Sequence, residues 1–64
     1  MKVKYPDITV NLIGENGNVF NLIRIVSKAL RKNKIDSKEF QEEVTLCGSY
    51  DEVLRVMMQW VNIT

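Results

Sequence analysis

The chain has 64 residues, 45% of them hydrophobic and 27% charged, with a formal net charge of +1. That length allows one domain, residues 1–64, and a domain so short buries only about 60% of its unfolded surface. With one cysteine and no histidine, neither an internal disulfide nor an ordinary metal-ligand set is available, and near-neutral charge gives no general attraction to nucleic acid.

Oligomerisation is the remaining way to stabilise so small a core. No apolar run reaches the ~20 residues of a membrane span. Met1-Lys2-Val3-Lys4-Tyr5-Pro6 lacks the apolar centre of a signal peptide. A cytoplasmic protein that keeps its thiol reduced, has no membrane partner and needs no cofactor is the expectation.

Ile8-Thr9-Val10-Asn11-Leu12-Ile13 alternates in polarity, which predicts a strand with Ile8, Val10 and Leu12 on its buried face. Pro6 before it limits backward pairing, because proline has no amide hydrogen. The next segment, Gly14-Glu15-Asn16-Gly17-Asn18, ends in a good helix cap: an asparagine side chain accepts from first-turn amides. A helix is expected over 19–32. Val19, Leu22, Ile23, Val26, Ala29 and Leu30 share its apolar face. Asn21, Arg24, Lys28, Arg31 and Lys32 lie opposite, with Phe20 and Ile25 on the flanks.

Asn33-Lys34-Ile35 connects to a second helix, expected over 37–45. Asp36 and Glu39 form a capping box before it, and Ile35 and Phe40 form a staple. Its apolar stripe, Phe40 and Val44 with Cys47 as a further candidate, is narrow. Gly48 stops the run. Ser49 and Glu52 form another capping box, so a third helix starts near Tyr50 and ends at Gln59 or Trp60. Residues 61–64 either extend that helix or form a short strand, and their β-branched side chains favour the strand. The fold class is therefore small α+β: an N-terminal strand, three short helices and a short C-terminal strand, completed by oligomerisation.

The third helix carries apolar residues over far more than the ~100° that a core-facing surface helix needs. Ile25, Val56, Met57, Met58 and Trp60 are accordingly expected at a homo-oligomer interface, most simply a two-fold dimer. Charge is also divided. Residues 24–38 carry six cations against one anion, a net +5, and residues 39–52 carry only anions, a net −5.

Catalysis is not expected, because the usual proton-transfer residue, histidine, is absent. Glu42 and Glu43 are adjacent on a helix and diverge by ~100°. Binding is better supported. A loop that delivers amides to a helix start suits an anion, and two such starts occur, at Gly17-Asn18 and at Ser49-Tyr50. Gly17, Asn18, Asn21, Arg24, Lys28, Ser49 and Tyr50 are the candidate ligand residues. The amides and Arg24 or Lys28 would take phosphate, the asparagines polar edges, and Tyr50 a stacked ring. A plain turn followed by an asparagine cap explains the same loop without a ligand. The basic stripe on the first helix reads as a solvated face, which disfavours nucleic acid.

At Gly14-Glu15-Asn16-Gly17-Asn18, and from Gly48-Ser49-Tyr50-Asp51 to Met58-Gln59-Trp60-Val61, the chain resembles a family of very short bacteriophage and mobile-element proteins. Their pattern is a Gly-acidic-x-Gly-Asn turn before a basic helix, a Gly-Asp-Tyr-Asp-like helix start and a Met-x-Trp-Val ending. Ser49 stands where that pattern has an acidic residue, and the 45–48 link is one residue longer. The resemblance implies a phage-type setting in a bacterial cytoplasm and supplies no activity. By analogy, small phage proteins without catalytic groups act by binding, either sequestering a nucleotide signal of host defence or blocking a host defence protein.

Overall fold

The computed structural model describes residues 3–12, 14 and 17–64. It is a mixed α+β structure: β1 (Tyr5–Val10), α1 (Val19–Lys32), α2 (Lys38–Thr45), α3 (Tyr50–Trp60) and β2 (Val61–Ile63). The two strands form a parallel two-stranded sheet. The partner that β1 requires is thus the far end of the same chain, reached through all three helices. Ile8 and Val10 are buried while Asp7, Thr9 and Asn11 are exposed, so the helices cover one face only. Parallel sheets are usually covered on both.

β1 starts three residues earlier than the alternation predicts, and it passes through Pro6. The pairing is irregular there: Tyr5 is opposite Val61, yet Thr9 is already opposite Asn62. Proline cannot donate to the ladder, and the side-chain amide of Asn62 instead donates to the Pro6 carbonyl. Beyond the bulge, Thr64 N donates to Val10 O at 3.0 Å and Leu12 N to Thr64 O at 3.2 Å. Ile13, Glu15 and Asn16, which complete the expected strand and the glycine loop, lie outside the described residues. Gly14 holds a φ of 83°, a left-handed conformation that suits glycine.

Helix α1 has the expected limits, and Asn18 Oδ1 accepts from Phe20 N at 2.9 Å. Its end follows the Schellman pattern: Ile35 N donates to Leu30 O and Lys34 N to Arg31 O, both at 2.9 Å. That pattern puts a left-handed residue just past the helix, usually glycine. Here it is Lys34, at φ 63°. Because this region costs a side-chain-bearing residue about 1–2 kcal/mol, Lys34→Gly is expected to stabilise the fold. After the extra unfolded-state entropy of glycine the gain is about 0.5–1 kcal/mol, readable as a rise of a few degrees in Tm.

Helix α2 begins at Lys38 after Ser37, which makes no side-chain cap bond. Asp36 nevertheless accepts from Lys38 N at 2.9 Å. The capping box is not completed, because Glu39 turns instead toward Lys4, 3.6 Å away. At α3, Ser49 Oγ accepts from Glu52 N at 3.3 Å, and Glu52 reaches one residue past the expected amide to take Gly48 N at 2.8 Å.

The core joins Ile8 and Val10 of β1, Leu22, Val26 and Leu30 of α1, Phe40 and Val44 of α2, Val53, Met57 and Trp60 of α3, and Val61 of β2. Trp60 stands at its centre, edge-on to Phe40 with centroids 5.6 Å apart and 5.8 Å from the Tyr5 ring. Its indole N–H donates to Glu43 Oε2 at 2.6 Å, so the one polar atom of the ring is satisfied. The Lys4 ammonium lies 4.0 Å over the ring. Ser27 is buried on α1 and accepts from Gln41 Nε2 of α2 at 3.2 Å. This bond ties α1 to α2.

These positions correct the interface read from the sequence. Met57 and Trp60 are fully enclosed within the single chain, because α3 packs against α2 and β2 together and needs a wide apolar arc. They offer nothing to a second copy. Ile25 and Val56 are half-buried against the same core, and of the expected set only Met58 is exposed.

Candidate functional site

The residues at the two helix starts come together in one chain. Tyr50 Oη donates to the Gly17 carbonyl at 2.9 Å, which ties the start of α3 to the turn before α1. Between these starts and the end of α2 runs a groove of about 420 Å³, lined by Val19, Phe20 and Ile23 of α1, Val44 and Thr45 of α2, Cys47, Gly48 and Ser49 of the connector, and Tyr50 and Val53 of α3. Each contribution follows from local structure. Val19 and Ile23 are one turn apart on α1, and Tyr50 and Val53 one turn apart on α3, so each helix presents a pair of side chains to the gap. Gly48, held by the Glu52 carboxylate, turns the chain there.

Some candidate ligand residues meet at this groove and others do not. Ser49 and Tyr50 line it, and Gly17 touches Tyr50. Asn18 caps α1 beside it. Asn21 accepts from the Arg24 guanidinium at 3.2 Å, and Arg24 stands exposed one turn beyond Phe20. Lys28 is carried roughly 180° round the helix from Val19, at about 100° per residue, and faces away.

The expectation of free helix-start amides needs correction. Phe20 N, Glu52 N and Gly48 N are already bonded to Asn18, Ser49 and Glu52 side chains. The Glu52 carboxylate, held at the loop before α3, would repel an anion at that point. Among the candidate residues the cation one turn from the groove-lining Phe20 is Arg24 on α1.

The sequence reading missed the outward placing of Phe20 and Leu46. Phe20 is 77% exposed, Leu46 is 86% exposed and Tyr50 is 46% exposed. Phe20 and Tyr50 line the groove, whereas Leu46 lies in a separate depression on the outer side of α2 with Lys38, Gln41, Glu42 and Thr45. Phe20 was visible as a residue off the main stripe of α1. Leu46 carried no signal, because it ends a short helix whose stripe runs through Phe40 and Val44. Among the described residues no three His, Cys, Asp or Glu side chains gather as a metal site would require. No described helix is long and apolar enough to cross a membrane.

No family model, no curated protein and no solved structure matches this chain. The site's own chemistry is therefore the ground for a functional reading.

Proposed function

We propose that this is a non-enzymatic binding protein that works as a homo-oligomer and captures a small ligand with a flat ring and a negative group, of nucleotide type, in the groove between α1 and α3. The observation that carries the reading is the groove itself: mostly apolar walls with a few polar groups, between the starts of α1 and α3 and the end of α2. Small-molecule sites have this composition, and volumes of about 300–1,000 Å³. In this reading Phe20 and Tyr50 flank the ring, Ser49 meets its polar edge, and Arg24, one turn beyond Phe20, reaches over to pair with phosphate. The phage-type resemblance gives the setting, sequestration of a defence signal in a bacterial cytoplasm.

Thermal denaturation in the presence of cyclic and linear nucleotides tests it. A ligand at a hundred times its Kd adds about 2.7 kcal/mol to stability, a shift of several degrees for a domain of this size. The shift is expected to vanish in Tyr50→Ala and Arg24→Ala, whose side chains lie outside the core. If no nucleotide moves the transition, the ligand reading is wrong. The exposed Phe20 and Leu46 favour a second reading, an inhibitor or adaptor that docks a host protein. It predicts a partner retained from host lysate by the native chain and lost with Leu46→Asp.

A further inference from the structure

The net charge of +1 conceals an uneven use of charge. Most described carboxylates are engaged by the chain itself. Glu39 pairs with Lys4 and Asp51 with Arg55. Glu43 accepts from the Trp60 indole, Glu52 from Gly48 N and Asp36 from Lys38 N. The cations of α1 have no such partners. Arg24 donates to the neutral side-chain carbonyl of Asn21, and no described carboxylate lies within ion-pair distance of Lys28, Arg31 or Lys32. All of these cations are exposed. Arg24, Lys28 and Arg31 fall within about 60° of helix arc, at about 100° per residue, and Lys32 adjoins them. Phe20 stands at the head of the stripe, 77% exposed and about 40° from Arg24. From Phe20 to Arg31 the stripe runs about 17 Å, at about 1.5 Å per residue.

We propose that this face of α1 binds single-stranded nucleic acid: its cations follow the phosphates, and Phe20 stacks on an unpaired base. Such strands are held by positive charge along the backbone and by aromatic rings under the bases, since every base has a face to stack. A duplex leaves Phe20 without a base to stack on. An anionic membrane calls for a wide apolar face on the same helix, and the apolar face of α1 is buried in the core. The sequence by itself assigns the stripe to solvent; the structure adds that no described acid folds back onto it and that an exposed ring leads it. Phe20 and Arg24 are shared with the groove ligand proposed above, but Lys28 and Arg31 lie outside the groove lining, so neither reading requires the other.

Fluorescence anisotropy of a labelled oligothymidylate of about 15 nucleotides, titrated with the native chain at about 50 to 200 mM salt, tests it. Contacts from Arg24, Lys28 and Arg31 predict a slope of log K against log salt of about −2, at about 0.7 per contact on a single strand, so that affinity falls about twentyfold across that range. Lys28→Gln and Arg31→Gln should each reduce the slope by about 0.7. Phe20→Ser should weaken binding about tenfold. These side chains are exposed, so helical circular dichroism should stay native, and neither charge variant should alter a thermal shift produced by a mononucleotide. A native chain that fails to bind the strand at low salt and about 100 μM protein, the weak end of non-specific binding, overturns the proposal. So does a slope that both charge variants leave unchanged, or an affinity that Phe20→Ser leaves unchanged. A duplex bound as tightly as the strand, or phosphatidylserine vesicles bound in its place, overturns it too. Strand binding without a mononucleotide-dependent shift refutes the groove reading and leaves this surface standing; a shift without strand binding does the reverse.

Discussion

Trp60→Ala abolishes the cooperative thermal transition, or leaves it barely above ambient temperature. Truncating a buried tryptophan to alanine costs about 3–5 kcal/mol. A 64-residue domain holds only about 3–10 kcal/mol in total, at 0.05–0.15 kcal/mol per residue. Trp60 is also the piece that several elements share. Its ring packs on Phe40 of α2 and Tyr5 of β1, takes the Lys4 ammonium on its face and holds Glu43 through the indole N–H. Trp60→Phe separates ring from donor. It keeps most of the packing but leaves the half-buried Glu43 carboxylate without that bond, at about 1–3 kcal/mol. Thermal melts followed by circular dichroism give both values. An alanine variant that melts within a few degrees of the native chain would mean that the core does not centre on this ring.

Deleting residues 61–64 also prevents folding. The deletion removes Val61, which is wholly buried, and burying a valine side chain contributes about 1.5–3 kcal/mol. It also removes the paired edge of β1, including the bonds through Thr64 N and Thr64 O. Each such bond contributes about 0.5–1.5 kcal/mol net. A lone strand is left with an unpaired ladder edge, because among the described residues β2 is the strand that pairs with β1. The shortened protein is expected to lose amide dispersion in a two-dimensional NMR spectrum. Thr64→Ala is the control: it keeps both backbone bonds and an exposed position, so its stability should fall within about 0.5 kcal/mol of the native value. Retention of a cooperative melt after the deletion would show that β2 is dispensable.

Both results depend on features of different legibility. Helix α1 could be delimited from its residues because its stripe is long, with Asn18 at one end and Lys32 at the other. Ser49 announced α3 in the same way. These are short-range signals, in which a side chain meets amides two or three residues away. The strand alternation of Ile8 and Val10 likewise identified the buried face. Lys34 gave no such signal, since nothing in a lysine marks a left-handed residue. Its conformation is imposed by the bonds that close α1 over Leu30 and Arg31.

The candidate site was legible by halves. Ser49, Tyr50 and Gly17 were visible as helix starts, but that the two starts touch is a long-range fact, separated by 33 residues. The apolar residues of α3 were visible too, yet which of them face outward was not. A helical pattern gives angles about the helix's own axis, and only the neighbouring elements determine which arc is covered. So Met57 and Trp60 went inside, while Phe20 and Leu46 stayed in water.

Local chemistry by itself determined where the helices begin and end, which strand face is apolar, and that the protein is a small α+β domain. Only the tertiary structure decided that β1 and β2 pair in parallel, that Trp60 is the hub, and that the open apolar surface lies beside α1 and α2. The division has one cause. Caps and periodicity act within a few residues, whereas strand register and burial are set by groups that meet only after the chain has folded back on itself.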